Sequence, residues 1–98
     1  MIKQSRVKNS DSVKVSFILP RSHPGGKVSV VGDFNGWDPY AHPLRPRSNG
    51  TRSAVLTLPS GRRYAFRYLG EGGQWHDDDE AAAFEPNGAG GVNGILET

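Results

Sequence analysis

The chain has two tryptophans, Trp37 and Trp75, and both sit where core tryptophans seldom do. Trp37 lies in the turn-rich run Asn35-Gly36-Trp37-Asp38-Pro39, and Trp75 follows the glycine-rich Gly70-Glu71-Gly72-Gly73. A core tryptophan belongs to an apolar alternation, whereas these have polar or glycine neighbours on both sides. An exposed indole on a rigid scaffold offers a flat apolar face with an N–H donor at its edge. Such a face matches the C–H face of a pyranose ring, whose hydroxyls nearby Arg, Asn and Gln side chains can bond. The same context also fits a tryptophan that caps one end of the molecule, and local sequence does not separate the two.

No other constellation points to chemistry. Asp33 and Asp38 invite reading as an acid–base pair, but paired carboxylates act across a cleft that holds a substrate. Here they flank Asn35-Gly36 in a turn, where Asp is favoured because its side chain bonds nearby backbone amides. The serines sit in no nucleophile elbow, and the glycines precede no helix in a phosphate-cradling pattern. His23, His42 and His76 lack ligand-like spacing. Asp77-Asp78-Asp79-Glu80 lacks the alternating donors and glycine of a calcium loop, so it reads as a solvated turn. The absence of cysteine removes disulfides, thiolate zinc sites and thiol nucleophiles together. The expectation is a non-catalytic protein without metal or cofactor.

The elements that must position the tryptophans have a period of two. Val13, Val15, Phe17 and Leu19 share one face of a strand that ends at Pro20. Pro24-Gly25-Gly26 turns the chain into a second strand, Lys27 to Gly32, which leads into the Trp37 loop. Pro43 and Pro46 keep the next segment extended or irregular. Asn49-Gly50 precedes a third strand, Arg52 to Leu58. Arg62 to Leu69 is the most regular strand and sets Tyr64, Phe66 and Tyr68 on one face, the expected core face. Gln74-Trp75-His76 reads as a short strand, Asp77 to Ala83 as one helical turn, and Val92 to Leu96 as a closing strand. Short strands with turns roughly every ten residues predict a β-sandwich.

Ninety-eight residues make one domain, too short for a catalytic barrel. Thirteen glycines and seven prolines fit tight loops between strands better than a helical bundle. Residues 1–11 are polar and are expected to fray, leaving 12–98 as the folded domain. The net charge of +2 is small. Lys3, Arg6, Lys8 and Lys14 lie early and Asp77 to Glu85 late, which is not the concentrated basic surface of a nucleic-acid binder. No apolar run is long enough for a signal peptide or a bilayer span. The expectation is a cytoplasmic protein with neither nucleic-acid nor membrane partner.

Four segments, in order, resemble a known family. Val28-Ser29-Val30-Val31-Gly32-Asp33-Phe34-Asn35-Gly36-Trp37 is similar to the V-x-G-x-F-N-x-W core of carbohydrate-binding module family 48. That family is also called the isoamylase N-terminal or early-set domain, and it includes the glycogen-binding domain of the AMP-activated protein kinase β subunit. Leu58-Pro59-Ser60-Gly61 with Tyr64-Ala65-Phe66-Arg67-Tyr68-Leu69 is similar to its Y-x-F-K/R-F strand. Gly73-Gln74-Trp75 with the following acidic residues, and Gly90-Gly91-Val92-Asn93-Gly94-Ile95-Leu96, complete a resemblance over about residues 12 to 97.

The resemblance implies an immunoglobulin-like β-sandwich of about six to eight antiparallel strands that binds α-1,4-linked glucans such as glycogen or starch. It places Trp37 and Trp75 as stacking residues, Arg67 as the basic residue between them and Asn93 as a hydroxyl partner, with Gln74 a further candidate. Strand alternation agrees for Arg67, which points away from Tyr64, Phe66 and Tyr68. Ala89 and Gly91 depart from the bulky apolar residue and threonine of the glycogen-binding members, which implies weaker or altered binding. In branching and debranching enzymes the domain lies beside a catalytic barrel. A chain running from Met1 to Thr98 is therefore expected to stand alone or to partner a glycogen-metabolic enzyme, and the alternative function is a positioning module with little sugar affinity. Single-stranded nucleic-acid binding through the strand carrying Arg62, Arg63 and Arg67 is a third reading, and hydrolysis is the least supported.

Overall fold

The computed structural model describes residues 1–22 and 24–98, so His23 lies outside the described residues. Among the described residues nine strands follow in chain order: β1 (Ile2–Arg6), β2 (Ser12–Pro20), β3 (Val28–Gly32), β4 (Arg45–Pro46), β5 (Thr51–Pro59), β6 (Arg63–Gly70), β7 (Trp75–His76), β8 (Ala83–Pro86) and β9 (Val92–Glu97). They form two antiparallel sheets, one ordered β1-β2-β5-β4 and the other β3-β6-β9-β8. β6 is flanked by β3 on one edge; on the other it pairs first with β9 and then with β7. Two 3-10 turns, Asp33–Asn35 and Glu71–Gly73, follow β3 and β6. The all-β sandwich is therefore as expected, with nine strands rather than six to eight because β4 and β7 are two-residue pairings.

The inner faces follow the alternation. Val13, Val15 and Phe17 on β2 pair with Leu58, Leu56 and Ala54 on β5. On the second sheet Val30 pairs with Tyr68, and Tyr64 with Leu96. Val15, Phe17, Val30, Phe66 and Tyr68 are fully or almost fully buried. Phe17 is the hub, with ring centroids 5.3 Å from Phe66, 5.7 Å from Phe34 and 6.4 Å from Tyr68. Phe34 reaches this core from the 3-10 turn after β3, so the loop carrying Trp37 is anchored from below. Such aromatic contacts add about 0.5–1.5 kcal/mol each to the area they bury.

Two segments differ from expectation. Residues 1–11 contain β1, which pairs with β2 from Ile2 opposite Phe17 to Arg6 opposite Val13. Its backbone completes a sheet edge while Lys3, Gln4, Ser5 and Arg6 stay exposed and only Ile2 packs on the core, so hydropathy alone did not mark it. Residues 77–82 form a turn, not a helix. Within it Asp78 is 4% exposed. Its carboxylate accepts hydrogen bonds from Tyr68 Oη (2.7 Å), the Glu80 amide (2.9 Å) and the Met1 ammonium (3.2 Å). One member of the acidic run is therefore a core polar anchor instead of a solvated residue. Burial first, and then the bond to Asp78, hold the Tyr68 hydroxyl well above its ordinary range.

Candidate functional site

The Trp37 loop is built by side chains that act as backbone. Gly32 ends β3, and the Asp33–Asn35 turn follows. Asn35 accepts the Gly32 amide at 3.1 Å through Oδ1 and donates through Nδ2 to Val30 O at 3.1 Å. Gly36 and Trp37 then both take the left-handed conformation, with φ of 65° and 60°. That conformation is free for glycine but costs a tryptophan roughly 1–2 kcal/mol. Two bonds hold it there. The Trp37 amide donates to Gly32 O at 3.0 Å, and Trp37 Nε1 donates to Asp33 Oδ1 at 3.0 Å. The second Asp33 oxygen accepts the Ala65 amide of β6 at 2.9 Å, which ties the loop to the strand that carries Arg67. A strained aromatic residue held by this many contacts is a preorganised feature.

Arg67 is on the outer face of β6. Its alternation neighbours Phe66 and Tyr68 are buried inside, and its pairing partner Val31 lies beside it on the outer face. Val31 is itself fully buried, so this part of the outer face is covered by side chains. The guanidinium Cζ lies 5.4 Å from the centre of the Trp75 ring, within cation–π range. Arg67 Nε donates to Asp77 Oδ1 at 2.9 Å, and the arginine side chain keeps only 17% exposure.

Trp75 pairs with Leu69 in β7 and is 46% exposed. Trp37 is half-buried. The two rings meet edge to face, with centroids 6.4 Å apart and planes inclined at 68°. They form an aromatic corner beside the outer face of the second sheet.

The other sequence candidates divide. The β6–β9 pairing ends with Phe66 opposite Gly94, and by alternation the next residues of the two strands, Arg67 and Asn93, face the same side of the sheet. Asn93 therefore shares the outer face with Arg67 and is half-buried. Gln74 is exposed on extended backbone next to Trp75, an arrangement that sends consecutive side chains to opposite sides. It is not gathered with the others. Gly91 lies beside the cluster: a Cβ built there would stand 3.7 Å from Arg67 Nη1. Asp33 and Asp77, the carboxylates that orient Trp37 and Arg67, were not candidates from sequence. Asp33 had only its turn signal, and its partner Ala65 is 32 positions away.

The aromatic face of β6 is internal, and Arg63 is paired with Glu85 at 2.9 Å and Glu97 at 3.2 Å. Among the described residues no group of three or more His, Asp or Glu is placed to hold a metal ion, and no helix is long and apolar enough to cross a membrane.

The family model of carbohydrate-binding module 48 (isoamylase N-terminal domain) matches residues 8–82, which include Trp37, Arg67 and Trp75 and stop short of Asn93. The chain is 48% identical over 44 residues to a 1,4-alpha-glucan branching enzyme GlgB 2 of Xanthomonas campestris, a match covering 44% of this chain and 6% of that protein. It is 46% identical over 67 residues to the 1,4-alpha-glucan branching enzyme GlgB of Deinococcus radiodurans, covering 63% and 10%. It is 39% identical over 72 residues to the GlgB of Pseudomonas putida, covering 70% and 9%. The chain thus spans a tenth or less of the curated relatives it matches. With more than half its length matched by one family, and with that family's fold, the chain belongs to carbohydrate-binding module family 48.

Proposed function

We propose that the outer face of the β3-β6-β9-β8 sheet binds α-1,4-linked glucan without catalysis. The observation that carries this reading is the corner of Trp37 and Trp75 with Arg67 set against the Trp75 ring. The Trp75 face stacks on the C–H face of a glucose unit, and Trp37 forms the wall against which the chain turns. Two planes inclined at 68° suit α-1,4-glucan, whose axial linkage bends the chain at every unit, better than a flat β-linked one. Arg67 and Asn93 donate to hydroxyls from the same face, and Gln74 reaches a sugar only at the rim. The branching-enzyme relatives, named for action on 1,4-alpha-glucan, support the substrate class. We also read the chain as cytoplasmic.

Titration with maltoheptaose, followed by tryptophan fluorescence and amide shifts, tests the proposal. One or two stacking contacts of about 1–3 kcal/mol, less ordering costs, put Kd between micromolar and millimolar. Trp75→Ala removes the response. No response from the intact chain at millimolar sugar rejects the reading.

A positioning role beside a branching-type enzyme is the second reading. Phe84 and Val92 favour it: they are 47% and 39% exposed on the β8–β9 edge, on the sheet face away from Arg67. Co-purification with such an enzyme, lost in Phe84→Ser and unaffected by maltoheptaose, would support it.

A further inference from the structure

Tyr40 is 86% exposed, although its backbone is held. Its amide donates to Asp38 Oδ1 at 2.9 Å, and Pro39 fixes φ just before it. An aromatic ring presented to water on a restrained loop has no role in the core and offers a flat apolar face with a hydroxyl at its edge to a ligand. Beside it runs a groove of about 460 Å³, lined by Pro39, Tyr40, Pro43 and Leu69 with Lys27 and Glu71. That volume suits a small ligand. Leu69 is the pairing partner of Trp75 in β7 and of Ser29 in β3, so the groove and the Trp75 ring share one sheet face and adjoin through Leu69.

We infer that this groove is a further glucan subsite, in which Tyr40 stacks on a glucose unit beyond those held at Trp37 and Trp75. The inference rests on the glucan reading of that face. Its occupant is the same polymer, because Leu69 of the groove wall is the pairing neighbour of Trp75 and the groove combines apolar walls with an ammonium and a carboxylate. Those two groups bond hydroxyls as donor and acceptor. A branch or a second chain would need a separate entry, whereas one chain running over Leu69 reaches both. The subsite makes affinity depend on chain length: short oligosaccharides fill the tryptophan corner alone, and longer ones gain the Tyr40 contact.

Calorimetric titration of maltotriose and maltoheptaose against the intact chain, Tyr40→Ala and Trp75→Ala tests this. Tyr40→Ala should melt at the same temperature as the parent, since the ring packs on nothing buried. It should weaken maltoheptaose binding about five- to a hundredfold, the range of one lost aromatic stack, and leave maltotriose within about twofold. Trp75→Ala should weaken both. If Tyr40→Ala changes neither sugar while Trp75→Ala weakens both, the subsite is rejected and the glucan face stands. If Tyr40→Ala weakens both equally, Tyr40 belongs to the central site and the extension is rejected. If the intact chain binds neither sugar, the glucan reading itself fails and the subsite with it.

Discussion

Trp37 Nε1 donates to Asp33 Oδ1 at 3.0 Å, and the remaining oxygen of that carboxylate accepts the Ala65 amide at 2.9 Å. One acidic side chain therefore fixes the angle of an indole wall and staples its loop to the central strand. Asp33→Ala should free the indole and leave Trp37 holding φ 60° with its main-chain bond to Gly32 alone. We expect a loss of about 1–2 kcal/mol in thermal unfolding and about a tenfold loss in maltoheptaose affinity, some 1.4 kcal/mol. Asp33→Asn, which keeps one acceptor, should fall between. An unchanged affinity in Asp33→Ala would show that the wall does not need this tether.

Gly91 and its neighbour Gly90 should respond oppositely to the same substitution. A Cβ at Gly91 would meet Asn87 Nδ2 at 3.2 Å and Arg67 Nη1 at 3.7 Å, side-chain ends rather than backbone, whereas Gly90 sits at φ +84°. Gly91→Thr should fold as well as the parent and place a hydroxyl beside the Arg67 guanidinium, tightening maltoheptaose binding about two- to fivefold. Gly90→Thr should instead lose about 1–2 kcal/mol of stability from forced left-handed backbone. Thermal melts and titrations of the two variants side by side check both halves.

These contrasts also mark what the sequence made legible. The long alternations of β2, β5 and β6 declared themselves because each buries a whole face, and the motif around Trp37 pointed to the loop. β1 and β8 did not, since as edge strands they pair through backbone while showing mostly exposed side chains. Trp37 and Trp75 stood out by their unusual neighbours, and Arg67 by the family resemblance, with which strand alternation agreed. Their mutual geometry was not readable, because the edge-to-face contact joins residues far apart in the chain and requires a left-handed tryptophan. Asp78 was misread for the same reason: its partners Tyr68 and Met1 are 10 and 77 positions away, beyond any local pattern.

Tyr68 predicts an alkaline instability. Its hydroxyl is buried against Asp78 and raised above the ordinary value of 10.0 by burial first and the Asp78 bond second. The folded chain thus keeps a proton that the unfolded chain releases near pH 10. This contribution is constant below that pH, and above it stability falls by up to about 1.4 kcal/mol per pH unit. Tyr68→Phe should remove that part of the slope between pH 9.5 and 11. At neutral pH the same variant should cost about 1–3 kcal/mol, because Asp78 loses a buried donor. Denaturant melts of both proteins across that range would refute the assignment if their slopes stay parallel.

Asp77 should matter more to binding than to folding. Its bond to Arg67 joins side chains with 17% and 32% exposure, a partly solvated pair worth about 0–1 kcal/mol to stability. The same bond occupies Nε, so the guanidinium is held against the Trp75 ring, and its Nη groups bond no side chain or backbone group among the described residues. Asp77→Ala should therefore barely move the melting temperature, yet let Arg67 swing from the ring and weaken maltoheptaose about three- to tenfold. Arg67→Lys should weaken it similarly even with Asp77 present, since an ammonium cannot bond the carboxylate, cover the indole and donate sideways at once. If the two substitutions combined weaken binding no more than Asp77→Ala alone, Asp77 acts only through Arg67; additive losses would mean that the carboxylate contacts the sugar itself.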